Sequence, residues 1–187
     1  MTAKKIIVGI TGASGSIYAK NLLKKLQQIE DIEEVAVVFS ENGKKVWQYE
    51  LKEYSDLQNV SVYANNDMFA PVASGSARYT DMVIIPCSMG TMAKVANGIA
   101  DDLIVRAADV MLKERRKLVI VPREMPYNLI HIENLKKITL AGGIICPASP
   151  SFYSFPESID EVVNTVVDRV IDLLGIESDS YRWGKDN

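Results

Sequence analysis

Short runs rich in Val and Ile recur along this chain at residues 6–10, 35–39, 60–63, 82–85, 118–121 and 143–146. Between most of them lie amphipathic stretches of helical length, at 16–29, 41–51, 101–115, 129–140 and 159–174. A strand that is apolar at nearly every position must be covered on both faces, so this alternation specifies a parallel sheet sandwiched between helices. Right-handed crossovers then wind the chain into a doubly wound, three-layer α/β fold of Rossmann or flavodoxin type. There is no internal repeat, low-complexity tract or linker, and residues 1–187 read as one domain large enough for a full core.

Charge and composition exclude several classes. The chain is 48% hydrophobic with a net charge of −3, which lacks the basic excess of a nucleic-acid footprint. The one basic run, Lys113-Glu114-Arg115-Arg116-Lys117, reads as a solvated helix end. Two lysines followed by a strand-length apolar run do not make a signal peptide, and no apolar run approaches the ~20 residues of a membrane span. Cys87 and Cys146 have no metal or redox spacing, and with a single His no metal site is expected. The expectation is a soluble, cytoplasmic protein with reduced thiols, no membrane contact and no nucleic-acid partner.

In this architecture ligands bind beyond the carboxyl ends of the strands. The segments there are 11–16, 40–41, 86–91, 122–126 and 147–153, each rich in Ser, Gly, Pro or charge. Gly9, Gly12 and Gly15 are spaced G-x-x-G-x-x-G, which matches neither the dinucleotide fingerprint nor the P-loop. Small residues where a strand runs into a helix let backbone N–H groups approach an anion, and the helix end adds partial positive charge. With the hydroxyls of Ser14 and Ser16, an anion site for a nucleotide-like ligand is expected. A second such turn, Pro86-Cys87-Ser88-Met89-Gly90-Thr91, falls at the same sheet edge, and the two together could hold a phosphate and the ring or ribityl portion of a flavin. Neither Cys87 nor Cys146 has a partner to activate it, so both read as structural thiols.

Charges inside amphipathic stretches stand out next. In 101–115 the stripe Leu103, Ala107, Val110 shares its face with Arg106 and Lys113. A cation there needs a partner, either Asp101 or Asp109 in a structural pair, or an anionic substrate. Glu50 falls on the face of Val46 and Trp47. Arg169 borders the stripe Ile159, Val162, Val163, Val166, Val170, Leu174, where a long side chain could also snorkel. Arg123 and Glu124 follow a strand and point opposite ways if extended. His131 reads as a packed or surface imidazole.

Taken in order, several segments resemble the UbiX-type flavin prenyltransferases. They are Gly9-Ile10-Thr11-Gly12-Ala13-Ser14-Gly15, Ala73-Ser74-Gly75-Ser76, Pro86-Cys87-Ser88-Met89-Gly90-Thr91 and Asn97-Gly98. They continue through Leu103-Ile104-Val105-Arg106-Ala107-Ala108-Asp109-Val110, Leu112-Lys113-Glu114-Arg115-Arg116 and Val121-Pro122-Arg123-Glu124-Met125-Pro126, and end with Phe152-Tyr153 and Arg182-Trp183-Gly184. The resemblance implies joining of a dimethylallyl group, taken from dimethylallyl phosphate, to N5 and C6 of reduced FMN, without metal. It implies FMN contacts from Gly12, Ala13, Ser14, Ser40, Ser88, Met89, Gly90, Thr91 and Arg123. Lys113, Tyr153 and Arg169 would hold the prenyl phosphate with Arg106 and Glu50 nearby, and Ser74 would lie in the active-site loop. Glu124 would manage the proton of the leaving phosphate, with Lys113, Glu50 and Ser14 as its catalytic company. A homo-oligomer, a dodecamer with sites completed across subunits, and a UbiD-type decarboxylase as recipient of the product are further implications. The sequence departs from the family at Asp67-Met68-Phe69-Ala70-Pro71, where Met68 stands in the place of a frequent Trp, and at Ser151, where Gly is usual. A cysteine decarboxylase of similar fold would call for an early His and a Pro-Ala-Ser-Ala-Asn-Thr-like stretch. A passive FMN carrier would not need Arg106, Lys113, Glu124 and Arg169 together.

Overall fold

The structure, a computed structural model, describes residues 3–52, 59–178, 180–182 and 184. Trp183, part of the motif noted above, lies outside the described residues. Six parallel strands, β1 Lys4–Ile10, β2 Ile32–Phe39, β3 Ser61–Ala64, β4 Asp81–Cys87, β5 Lys117–Pro122 and β6 Ile144–Ile145, form one sheet in the order β3-β2-β1-β4-β5-β6. The helices are α1 Ser16–Leu26, α2 Glu41–Leu51, α3 Met89–Ala96, α4 Leu103–Lys113, α5 Leu129–Leu140 and α6 Ile159–Leu173. The three-layer α/β expectation therefore holds.

Two apolar layers result from the period-two alternation of the strands. Ile6, Val8 and Ile10 pack with Leu22 and Leu26 of α1, Trp47 of α2, and Val166 and Val170 of α6. Ile7 and Ile84, on the opposite face, pack with Met92 of α3, Leu103 and Ala107 of α4, and Ile138 of α5. The strand order reverses between β1 and β4, where a crevice opens at the carboxyl edge. Thr11 spans that crevice. Its buried hydroxyl donates to the Pro86 carbonyl at 2.8 Å and accepts from the Ser88 N–H at 2.7 Å, and its own N–H donates to Pro86 at 3.2 Å. Thr11→Val keeps the shape but strands the partly buried Ser88 N–H, while the Pro86 carbonyl still accepts from the N–H of residue 11. It should cost about 1–3 kcal/mol in chemical denaturation.

Helix boundaries follow their caps. Asp102, not Asp101, starts α4, because its carboxylate accepts from the Val105 N–H at 3.1 Å. Helix α1 stops at Leu26, short of the periodic stretch, and β6 has only two paired residues. Ile159, expected in the apolar stripe of α6, is 75% exposed, while Val167 and Ile171 are buried there.

Helix α4 corrects a larger expectation. Leu103, Ile104, Val105, Ala107, Ala108, Val110 and Met111 are all buried, so its apolar face is much wider than one stripe. Arg106 and Lys113 do share a face, but it is the remaining polar one, with Asp102 and Asp109. Their side chains are 34% and 46% exposed, paired with Asp109 and Glu114 respectively. Neither faces the core.

Candidate active site

The turns after β1, β2, β4 and β5 converge at the carboxyl edge. Gly12 and Gly43 are where the first two touch: a side chain on Gly12 would meet Asn42 at 2.5 Å, and one on Gly43 would overlap the Ile10 carbonyl. Ser40 caps α2 by accepting from the Gly43 N–H at 3.0 Å. Ser88 caps α3, accepting from the Thr91 N–H at 3.3 Å with its Oγ 3.1 Å from that of Thr91. Arg123 donates from Nε to the Ser14 carbonyl at 3.1 Å, and its N–H donates to the Cys87 carbonyl at 3.3 Å. Gly12, Ala13, Ser14, Ser40, Ser88, Met89, Gly90, Thr91 and Arg123 thus lie along one edge, joined by Thr11. Glu124 follows in the same turn, exposed, its carboxylate accepting from the Met125 N–H at 3.0 Å.

The first turn does hold an anion, but from the chain itself. Gly15 has φ 108°, a left-handed conformation that turns the chain into α1. The N–H groups of Gly15 and Ser16 then donate to the Glu50 carboxylate at 3.0 and 2.8 Å. An exogenous phosphate on these two donors is therefore excluded while Glu50 holds them. At the start of α3 Ser88 takes the Thr91 N–H, the Met89 and Gly90 N–H groups precede any intrahelical acceptor, and nothing lies within 4 Å of where a Gly90 side chain would begin. Backbone donors for an anion thus remain at the start of α3 and not at the start of α1.

Although partial burial raises the proton affinity of Glu50, the Ser14 hydroxyl and the Ser16 and Gly15 N–H groups win and hold its carboxyl below the usual range. A carboxylate so depressed contributes stability above the ordinary pKa of about 4.3, and the contribution is lost as pH falls through the lower folded value. Glu50→Gln should therefore be less stable than the parent at neutral pH, by about 1 kcal/mol for a partly exposed group. That gap should close on the acid side of pH ~4 in denaturant titrations.

Cys87 matches its structural reading, whereas Cys146 is only half-buried and lines a cavity beside α6. Cys87 is fully buried, which pushes its pKa well up, and burial also raises that of Cys146 against the opposing charge of Arg169. His131 caps α5: its Nδ1 accepts from the Asn128 N–H at 3.4 Å while Asn128 accepts from the His131 N–H at 2.9 Å. Among the described residues no group of three or more His, Cys, Asp or Glu could hold a metal ion. No helix among them is long and apolar enough to cross a membrane.

Two further groups of expected residues stand apart from the turns. Tyr153 and Arg169 line a cavity of about 790 Å³ between the segment after β6, α6 and the chain's end, together with Cys146. Two other cations on its wall are neutralised: Lys25 pairs with Asp168, and Arg182 with Asp172 in a two-pronged contact at 2.5 and 2.8 Å. Arg169 forms no ion pair with any described residue.

Ser74, Arg106 and Lys113 make the third group. Helix α4 begins beside the end of β3, where the Leu103 N–H donates to the Asn65 carbonyl at 2.8 Å. It ends beside the start of β5, which pairs with the start of β4. Its 11 residues, roughly 16 Å of helix, carry Lys113 to the edge opposite the turns. Arg116, read as part of a solvated run, is instead packed inward, donating to the Gly75 carbonyl at 2.7 Å. Thr11 and Arg116 are the two residues that sequence reasoning did not single out. Only Thr11 left a sign, its place between a buried strand and a glycine turn.

Known proteins match this chain over nearly its whole length. A family model described as Flavoprotein matches residues 1–171. The flavin prenyltransferase UbiX of Methanocaldococcus jannaschii is 47% identical over 184 residues, covering 96% of this chain and 98% of that protein. Two solved structures superpose closely. AnUbiX (PadA1) in complex with FMN and dimethylallyl pyrophosphate has a TM-score of 0.92 at 39% identity, covering 97% of each chain. The dodecameric FMN-dependent UbiX-like decarboxylase from Escherichia coli has a TM-score of 0.91 at 41% identity, covering 96% of this chain and 98% of that one. With identity at this level over nearly the whole length, the chain belongs to the UbiX-type flavin prenyltransferase family.

Proposed function

We propose that this flavin prenyltransferase takes its five-carbon group from dimethylallyl phosphate and joins it to N5 and C6 of reduced FMN without a metal. The observation that carries the donor assignment is Arg169, a cation without an ion pair in a cavity whose other cations are each held by an aspartate. Ionising an allylic phosphate needs fixed positive charge and hydrogen-bond donors where negative charge collects on the leaving group. Arg169, Tyr153 and Lys113 supply these, with Arg106 nearby, and Glu124 gives or takes the proton of the departing phosphate. Gly12, Ala13, Ser14, Ser40, Ser88, Met89, Gly90, Thr91 and Arg123 hold the flavin, the open start of α3 receiving its anionic end. The bound flavin supplies the electron-rich ring that accepts the prenyl group. Ser14 and Glu50, joined at the start of α1, present a hydroxyl and a carboxylate to that ring.

Within one chain Lys113 and the flavin turns lie at opposite edges of the sheet. A site using both must therefore draw them from different copies. Exposed apolar side chains such as Phe69, Met125, Leu140 and Phe155, between 78% and 100% exposed, offer the surfaces such copies would bury. A homo-oligomer follows, and a dodecamer is the proposed form, working in the cytoplasm and passing its product to a UbiD-type decarboxylase.

Anaerobic incubation with reduced FMN, dimethylallyl phosphate and a chelator tests the reaction. Mass spectrometry of the extracted cofactor should find a flavin heavier by one prenyl unit, in the same yield with chelator as without. Unchanged FMN, or product only when a metal is added, would refute the proposal.

A further inference from the structure

Between β3 and β4 the chain makes two 3-10 turns, Pro71–Ala73 and Gly75–Ala77, with Ser74 at their joint. The carbonyls on both sides of Ser74 are gripped by guanidinium groups. Arg106 Nε donates to Ala73 at 3.2 Å, and Arg116 Nη2 donates to Gly75 at 2.7 Å. Each arginine has a carboxylate behind it, Asp109 at 2.8 Å from Arg106 and Glu114 at 4.0 Å from Arg116. Glu114 also pairs with Lys113, so one carboxylate stands between the Lys113 ammonium and the arginine that holds the loop. Gly75 is crowded against this group: a side chain there would lie 2.6 Å from the Glu114 carboxylate. The Ser74 hydroxyl is itself oriented by Ser76, whose Oγ lies at 2.9 Å.

Arg116 is the more enclosed of the two arginines, 21% exposed against 34%. Its Nη1 is buried without an acceptor among the described residues. An unpaired buried donor costs about 1–3 kcal/mol, so a long cation with easy access to solvent is held inward against that cost. The Gly75 carbonyl is the contact it makes there.

We infer that Arg116 is a positioning residue for prenyl transfer: with Arg106 it pins the two carbonyls flanking Ser74, and through Glu114 it fixes that loop relative to Lys113. Arg116 itself touches neither substrate nor flavin. The inference rests on the reading that Ser74 and Lys113 belong to the active site, and its test separates the two.

The test uses the purified oligomer as Arg116→Gln, Arg116→Lys, Ser74→Ala and the double variant Arg116→Gln/Ser74→Ala. In Arg116→Gln, hydrogen exchange of the 71–78 peptide should quicken about 10-fold while flavin affinity stays at the parent value. Its rate of prenyl-flavin formation should fall about 10-fold or more, as for a small misplacement of a working group. The lysine variant, which keeps a donor but not the planar fork, should recover part of the rate and serves as the test if the glutamine variant does not fold. The double variant should be no slower than Ser74→Ala alone, because both changes remove the same positioned group. Unchanged loop exchange in Arg116→Gln, or losses that multiply in the double variant, would overturn the inference. Faster loop exchange with wild-type turnover in Ser74→Ala would instead remove Ser74 from the active site, and the positioning role with it.

Discussion

Glu124→Gln should bind flavin normally and form prenylated product at least ~10²-fold more slowly, the scale for loss of a positioned proton-transfer group. The exchange is close to isosteric, so it removes the ionisable group without opening a hole. The carboxylate is exposed in the turn after β5, and its partner within the chain is the neighbouring Met125 N–H. It is therefore available to an incoming phosphate rather than committed to the fold, and the variant should unfold at the parent's denaturant midpoint. Stopped-flow or quenched-flow formation of the prenylated flavin gives the rate, and flavin fluorescence titration gives the binding. A rate within threefold of the parent (~0.6 kcal/mol in barrier) would remove Glu124 from proton management.

Arg169→Ala should act on the other substrate. A charge-assisted, two-pronged grip on a phosphate is worth about 1.5–3 kcal/mol. The KM for dimethylallyl phosphate should rise by roughly 10- to 150-fold, with flavin affinity unchanged. Stability should change little, because the side chain is exposed and makes no ion pair with a described residue. The nearby aspartates sharpen the contrast. Arg182→Ala would strand Asp172, whereas Arg169→Ala leaves no carboxylate among the described residues without its ion pair. If Arg169→Ala instead weakened flavin binding and left the donor KM alone, the cavity would not be the donor site.

The parts of this picture that were legible in the sequence depend on periodicity and local chemistry. Apolar runs of strand length gave the core of β1, β2, β4 and β5, since a strand buried on both faces shows itself in its composition. The turns at 11–16 and 86–91 were visible because strand, small residues and helix follow one another directly. What escaped depends on partners distant in sequence. Glu50 was recognisable as misplaced on its helix, but not as the occupant of the first turn, because its donors lie 34 and 35 residues away. A single apolar stripe on α4 predicts Arg106 and Lys113 inward, but the helix packs a broad face against the sheet, and the polar positions are what remains. The Arg116 grip on Gly75 spans 41 residues and lies inside a run whose composition suggests only solvation.

The proposed division of the site between two edges of the sheet is tested directly by mixing subunits. Lys113→Ala and Glu124→Gln chains, each nearly inactive alone, are coexpressed and purified as mixed oligomers through a tag on each. Because Lys113 of one copy would then meet Glu124 of another, some sites in the mixture contain both native residues, and prenyl-flavin formation should recover well above either variant alone. Mixed oligomers no more active than the two parents would contradict the account, since Lys113 and Glu124 would then have to serve one site from the same chain.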